Sequence, residues 1–110
     1  MRVISAILSL FCFFIMPAQP LIAQEKRFAD ATETNQKLMD LYEHTGDICL
    51  RNPSRDVQVT VACMSMTVYG LALNERGLCY GKRDEANAFK KWHECQEDSD
   101  RFSESSLTSF

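Results

Sequence analysis

The pattern of apolar and polar residues begins with a nearly continuous apolar run and continues with three stretches of helical periodicity. The run extends from Val3 to Met16, follows Arg2 and ends before Pro17. A cation, a short apolar core and a helix break before a small residue are typical of a secretory signal peptide. We therefore predict a signal peptide over residues 1–23, with cleavage after Ala23.

An uncleaved membrane anchor is the competing interpretation of this run. A helix that spans a bilayer needs about 20 consecutive apolar residues, and the run is shorter and is followed by Pro17 and Pro20. Leu21 would occupy the −3 position for cleavage after Ala23, where a smaller residue is usual. Ala18 is therefore a secondary candidate for the cleavage site. We expect no stable membrane anchor after removal of the signal peptide.

The first stretch with helical periodicity runs from Phe28 to Thr45. Its apolar residues recur every three or four positions with charged residues between them, which is typical of a helix with one buried face. Gly46 favours the end of this helix, and Asn52-Pro53 favours a loop before the next element. The sequence therefore predicts a first helix over Phe28–Thr45.

The second stretch, Arg55 to Arg76, is apolar around much of its circumference. Its first part alternates like a strand, but a run of this length without a turn signal exceeds an ordinary strand. Ser54 is placed to cap a helix, Asp56 suits its first turn, and Arg76-Gly77 favours its end. We therefore predict a central, deeply buried helix. One face of it carries a regular row of apolar side chains, namely Val57, Val61, Met64, Val68 and Leu71.

A third helix is predicted from Asp84 to Cys95, with Asp84 as its cap and Phe89 and Trp92 on its apolar face. After Cys95 the chain becomes polar, acidic and rich in serine, which is typical of a disordered segment. The expected fold is an all-α, three-helix, disulfide-stapled domain over residues 24–96. A flexible acidic and serine-rich tail is expected over residues 97–110.

The number of cysteines indicates that disulfides stabilise this small domain. One of the five cysteines, Cys12, lies in the predicted signal peptide. The other four are Cys49, Cys63, Cys79 and Cys95. An even number of cysteines in a short exported chain indicates disulfides, because so small a domain buries too little apolar surface to offset its conformational entropy comfortably.

The sequence leaves the pairing of these cysteines open. Two antiparallel helices would bring Cys63 and Cys95 to similar heights, which favours Cys63–Cys95 with Cys49–Cys79. The sequential pairing, Cys49–Cys63 with Cys79–Cys95, needs only short local closures, each worth about 3 kcal/mol in the chain-entropy model. The sequential pairing is slightly favoured.

Charge and motifs give little support to catalysis or to nucleic-acid binding. The net charge is −3, and no dense basic run is present to contact a phosphate backbone. The chain contains no CxxC, GxSxG or HExxH motif and no glycine-rich phosphate loop. His44 is expected on the polar side of the first helix, and His93, Glu94 and Cys95 would point in different directions around the third. We therefore expect no catalytic, cofactor-binding or metal-binding residue, no cofactor and no enzyme activity.

The connector between the second and third predicted helices is the strongest candidate for a contact surface. Tyr80, Lys82 and Arg83 provide an aromatic ring and two cations on a loop that Cys79 fixes in place. Such a loop can contact a protein partner or a small anion, and an ordinary solvated turn is the simpler alternative.

A resemblance to one known family is carried by the following residues, in this order: Leu38, Leu41, Cys49, Cys63, Val68-Tyr69-Gly70 and Cys79. In this order the chain resembles small periplasmic immunity proteins of the Tai type, which are helical, exported and disulfide-bonded and neutralise a toxic peptidoglycan amidase. The resemblance covers the middle of the chain. It departs from the family at Tyr80, where a proline is usual, and in the short spacing from Gly70 to Cys79.

The expected function is therefore that of an exported, non-catalytic binding protein in the periplasm or outside the cell, with a protein as its partner. An immunity or inhibitor protein against a wall-active toxin enzyme is one alternative, which the resemblance implies. A small envelope enzyme or accessory factor and a structural envelope protein are the others.

Overall fold

The computed structural model describes residues 26–108, so the predicted signal peptide and its cleavage site at Ala23 lie outside the described residues. Two helices form an antiparallel hairpin, and a two-stranded antiparallel sheet packs beside it. The elements in chain order are α1 (Asn35–Arg51), α2 (Val57–Glu75), β1 (Leu78–Tyr80), a 3-10 helix (Asn87–Phe89), β2 (Trp92–Glu94) and a second 3-10 helix (Glu104–Thr108). This is a small mixed α/β domain, and the predicted all-α, three-helix fold is wrong.

Helix α1 begins and ends later in the chain than the sequence predicts. Thr34 caps it, since the Thr34 hydroxyl accepts a hydrogen bond from the Lys37 amide at 3.1 Å. Gly46, expected to end the helix, is buried within it. It faces Met66 of α2, and a Cβ at Gly46 would lie 3.5 Å from Cε of Met66, which is an ordinary van der Waals contact.

Helix α2 matches its predicted extent to within two residues at its start and one at its end. Asp56 occupies the N-cap position in place of Ser54 and makes no side-chain capping hydrogen bond. Gly77, just beyond the C-cap at Arg76, has a φ of 81°, which a glycine adopts without strain. Its buried residues are Ala62, Thr67, Gly70, Ala72 and Leu73.

The region of the predicted third helix, Asp84 to Cys95, contains strand β2 instead. Strands β1 and β2 pair with Cys79 opposite His93 and Tyr80 opposite Trp92. Phe89, which the helical pattern placed on an apolar face, is 71% exposed. The helical spacing rested on few apolar residues, and the pairing with β1 and the contacts of Trp92 override so weak a local preference.

Two disulfides are present, as predicted, and they follow the sequential pairing. Cys49–Cys63 joins the end of α1 to the beginning of α2, and Cys79–Cys95 joins β1 to the residue after β2. Cys79 is completely buried. Each bridge therefore closes one hairpin of the fold, the first between the helices and the second between the strands.

The first part of the segment expected to be a flexible tail contacts the folded domain. The Asp100 amide donates to the Gly81 carbonyl at 2.9 Å, and the Phe102 amide donates to Oδ1 of Asn74 at 2.8 Å. Ser99 is buried. Residues 99–102 thus form an ordered part of the domain beside α2 and β1.

Candidate functional site

A cleft of about 800 Å³ lies between α1 and the sheet. One wall is formed by α1, and we call its exposed lining residues the α1 wall: Gln36, Asp40, Glu43, Asp47 and Leu50. The opposite wall comes from the sheet, the connection between its two strands and the segment that follows it, and includes Lys90, Asp100 and Arg101. The cleft therefore depends on the packing of the sheet and the C-terminal segment against the helical hairpin.

Four aromatic rings, Tyr42, Tyr80, Trp92 and Phe102, line the cleft and form what we call the aromatic cluster. The Tyr42 ring is central, with centroid distances of 5.3 Å to Tyr80, 5.0 Å to Trp92 and 5.6 Å to Phe102. Rings at these separations are in direct contact. The cluster therefore offers the cleft a continuous aromatic surface.

The Tyr42 hydroxyl is held in its neutral form. Burial raises the pKa of Tyr42 well above its usual value, and the nearby Tyr80 and Asp100 raise it further. None of the hydrogen bonds found among the described residues involves this hydroxyl, and no buried polar side-chain atom among them lacks a partner. The hydroxyl oxygen is therefore not fully enclosed by the protein, and because Tyr42 lines the cleft it can donate a hydrogen bond to a bound molecule.

The α1 wall is acidic. Asp40, Glu43 and Asp47 are three or four residues apart, so they lie along one face of the helix. Asp40 accepts a hydrogen bond from Gln36 at 2.9 Å, and Asp47 lies 3.4 Å from Arg51. Among the described residues, no ion pair involves Asp40 or Glu43, which leaves their charges available to a ligand.

The opposite wall carries both signs of charge. Nζ of Lys90 lies 2.9 Å from Oδ2 of Asp100, and only 13% of the Lys90 side chain is exposed. The aliphatic part of Lys90 packs against Gly81, where φ is 74° and a Cβ would overlap the lysine. Because the Lys90 charge is already matched by Asp100, the electrostatic character of the cleft is set by the α1 wall and Arg101.

The structure separates the three predicted contact residues. Tyr80 belongs to the aromatic cluster, whereas Lys82 and Arg83 line a different cavity of about 300 Å³. Nζ of Lys82 lies 3.7 Å from a carboxylate oxygen of Asp98, and the Arg83 guanidinium donates to the Glu97 carbonyl at 3.0 Å. The three side chains therefore do not form a single surface.

The remaining candidates from the sequence are placed apart from the cleft. His44 is exposed on α1, and Cys95 is in a disulfide. The His93 ring nitrogens lie 2.8 Å from the Glu94 carbonyl and 3.1 Å from the Gly81 carbonyl. Across residues 26–108, no group of three or more potential metal ligands comes together.

Sequence reasoning missed most of the cleft. Tyr42 lies within the predicted first helix, but nothing in the sequence indicates its partners. Trp92 belongs to the predicted third helix, which does not form, and Phe102 belongs to the expected tail. The spacing of Asp40 and Glu43 within the predicted first helix could have indicated an acidic face, whereas Asp47 lies beyond Gly46, where that helix was expected to end.

Comparison with protein-family models, with curated proteins and with solved structures finds no match for this chain. The resemblance to Tai-type immunity proteins therefore depends on the residues quoted for it alone, and the function is argued from the cleft.

Proposed function

We propose that the chain is an exported binding protein whose cleft holds a cationic segment of a protein partner. The observation that carries this proposal is that an aromatic surface and a row of carboxylates face the same cleft. A lysine or arginine side chain places its aliphatic stem on apolar or aromatic surface and its charge against a carboxylate. The aromatic cluster and the α1 wall offer both environments side by side.

The dimensions of the cleft suit a peptide segment. The α1 wall runs from Gln36 to Leu50, and at a rise of about 1.5 Å per residue this corresponds to roughly 21 Å. An extended segment of about six residues covers that distance at roughly 3.3 Å per residue. The Tyr42 hydroxyl and the carboxylates supply hydrogen-bonding groups along the way.

Export is the second part of the proposal, and the two disulfides are compatible with an oxidising periplasmic or extracellular location. An immunity or inhibitor protein is a specific form of the same function. It requires a wall-active enzyme that presents a basic segment to the cleft.

Trp92 allows a direct test, because it is the only tryptophan in the sequence and lies in the cleft. The oxidised chain from residue 24 onward is titrated with a peptide of alternating lysine and leucine, and with its glutamate counterpart. We expect the lysine peptide to change the Trp92 fluorescence saturably, with an affinity that falls as salt is added, and the glutamate peptide to have no effect.

A triple variant with Asp40→Asn, Glu43→Gln and Asp47→Asn tests the α1 wall. We expect it to bind the lysine peptide at least tenfold more weakly. The matched control neutralises three exposed carboxylates outside the cleft, with Asp30→Asn, Glu33→Gln and Glu97→Gln. Equal losses in both variants would show non-specific charge attraction, and unchanged affinity in the triple variant would exclude the cleft as the site.

A pull-down from envelope extract then identifies the natural partner. The proposal requires a stoichiometric protein that the unaltered chain retains and the triple variant releases. Retention of the same protein by both would place the contact elsewhere on the chain.

A further inference from the structure

The connection between α1 and α2 is exposed along its whole length. Residues 50–58 are all exposed, and the apolar residues at its two ends are largely so, with Leu50 at 75% and Val57 at 80%. Residues 52–56 belong to no helix or strand. Exposed loops of small and polar residues are the preferred sites of proteolytic cleavage in folded proteins. The connection therefore has the accessibility that a protease requires.

The backbone of this connection is free to pair with another molecule. None of the backbone hydrogen bonds found among the described residues involves residues 53–55. The backbone is extended at both ends of the connection, with ψ of 117° at Asn52 and 149° at Asp56. An extended peptide binds by pairing its main-chain groups with a strand of its partner, and serine proteases hold the residues before the cut bond in this way. No backbone hydrogen bond of residues 53–55 has to break for such pairing.

Arg55 determines the class of protease that the connection suits. Its side chain is exposed, and none of the hydrogen bonds or ion pairs found among the described residues involves it. Proteases of the trypsin type recognise a lysine or arginine before the cut bond through a carboxylate in their specificity pocket. Arg51 is less suitable, because it is the last residue of α1 and lies 3.4 Å from Asp47. The bond between Arg55 and Asp56 is therefore the better placed of the two.

The residues that follow this bond form the first turn of α2, and this turn is weakly held. Asp56 occupies the N-cap position but makes no side-chain capping hydrogen bond. Val57 and Gln58 are exposed. The first amide groups of a helix have no partner within the helix, and a helix end without a side-chain cap is less stable. The first turn of α2 can therefore open while a protease binds both sides of the bond.

The same two residues, arginine and aspartate, occur again at Arg83-Asp84, where the fold holds the backbone. Both of these residues are exposed, so exposure does not distinguish the two bonds. The Arg83 amide, however, donates to the Asp98 carbonyl at 3.0 Å, and the Arg83 guanidinium donates to the Glu97 carbonyl at 3.0 Å. A protease has to break both hydrogen bonds to bind this segment in an extended form. The chain thus carries its own control for the effect of backbone freedom.

We propose that the bond between Arg55 and Asp56 is a processing site for an endoprotease of the trypsin type. Hydrolysis adds one water molecule across the peptide bond, leaving a carboxylate on Arg55 and an amino group on Asp56. The first product contains Cys49 and the second contains Cys63. Because these cysteines form a disulfide, the products stay joined as a two-chain domain.

Cleavage changes the role of the Cys49–Cys63 disulfide. In the intact chain it reinforces a connection that the backbone already makes. In the cleaved chain the Cys79–Cys95 bridge lies within the second product, so Cys49–Cys63 is the only covalent link between the two parts of residues 26–108. Reduction then allows α1 to leave, and the α1 wall of the cleft leaves with it. The two-chain form therefore depends on an oxidising location.

The test is limited digestion of the oxidised chain from residue 24 onward with trypsin, followed by mass spectrometry with and without reductant. Between the start of α1 and the end of β2, we expect the first cut after Arg55, at least tenfold faster than the cut after Arg83. The products, residues 24–55 and 56–110, should separate only after reduction. In urea with reductant, the two bonds should be cut at similar rates, because the fold no longer protects either of them.

Two variants show whether the assigned arginine is responsible. Arg55→Gln should slow the first cut in this region at least tenfold, whereas the matched control Arg83→Gln should leave its rate unchanged. A first cut at another bond in this region, or equal rates at the two arginines in the folded chain, overturns the proposal. Loss of the helical circular dichroism on cleavage overturns the two-chain form. Inhibition of trypsin by a chain that stays intact also overturns the proposal, since the connection would then be an inhibitor loop.

Discussion

The contact between Gly70 and Phe102 decides whether the C-terminal segment completes the cleft. A Cβ added at Gly70 would lie 2.5 Å from Cδ2 and Cε2 of the Phe102 ring. The ring is held in place from two sides, by the hydrogen bond from its backbone amide to Asn74 and by its edge contact with Tyr42. Replacing Gly70 by alanine therefore forces the ring to move against contacts that fix it.

Two opposing effects set the magnitude for Gly70→Ala. Alanine in place of glycine stabilises a helix interior by about 1 kcal/mol. Overpacking against a fixed side chain costs about 1–3 kcal/mol, so the free energy of unfolding should fall by about 1 kcal/mol. In a Phe102→Ala background the steric term is absent, and the same substitution should raise the free energy of unfolding by about 1 kcal/mol. The sign of the effect should therefore reverse.

Urea unfolding of the oxidised chain, of both single variants and of the double variant gives the four free energies of this cycle. The expected interaction energy between positions 70 and 102 is about 2 kcal/mol. Gly70→Ala could instead stabilise the unaltered chain and the Phe102→Ala variant by the same amount. That result would show that the Phe102 ring does not lie over Gly70 and does not form a wall of the cleft.

Three further results are expected from the same unfolding measurements. The folded state keeps the Tyr42 proton, whereas the unfolded state loses it near a pH of about 10. Above that pH the free energy of unfolding of the unaltered chain should therefore fall relative to that of Tyr42→Phe, by at most about 1.4 kcal/mol per pH unit. The same pH dependence in both proteins would contradict this. Thr34→Ala should lower the free energy of unfolding by about 1 kcal/mol, and Thr34→Ser should restore most of it, since the cap needs only the hydroxyl. Joint replacement of Cys79 and Cys95 by alanine should lower stability by about 3 kcal/mol from loop entropy. It should also shift the Trp92 emission, because the bridge joins β1 to the residue after β2 and so keeps Trp92 against Tyr80; an unchanged emission would show that the two strands stay together without it.

The parts of the fold that could be predicted from the sequence are those with a long or covalent signal. Helix α2 is long enough for its length alone to exclude a strand, and the four cysteines outside the predicted signal peptide indicated disulfides. Strand β2 has three residues, too few to show alternation against the helical spacing of Phe89 and Trp92. It is a strand because it pairs with β1, and a local sequence pattern does not indicate a contact between segments this far apart in the chain.

The residues of the cleft were still harder to predict, because they come from segments that are distant in the sequence. The aromatic cluster takes one ring from α1, one from each strand and one from the segment after them. Phe102 is surrounded by polar residues, so composition assigns it to a tail although its ring packs on Gly70. In contrast, Asp40 and Glu43 lie within the predicted first helix, so this part of the acidic face was open to prediction from its spacing, whereas Asp47 joins it only because α1 continues past Gly46.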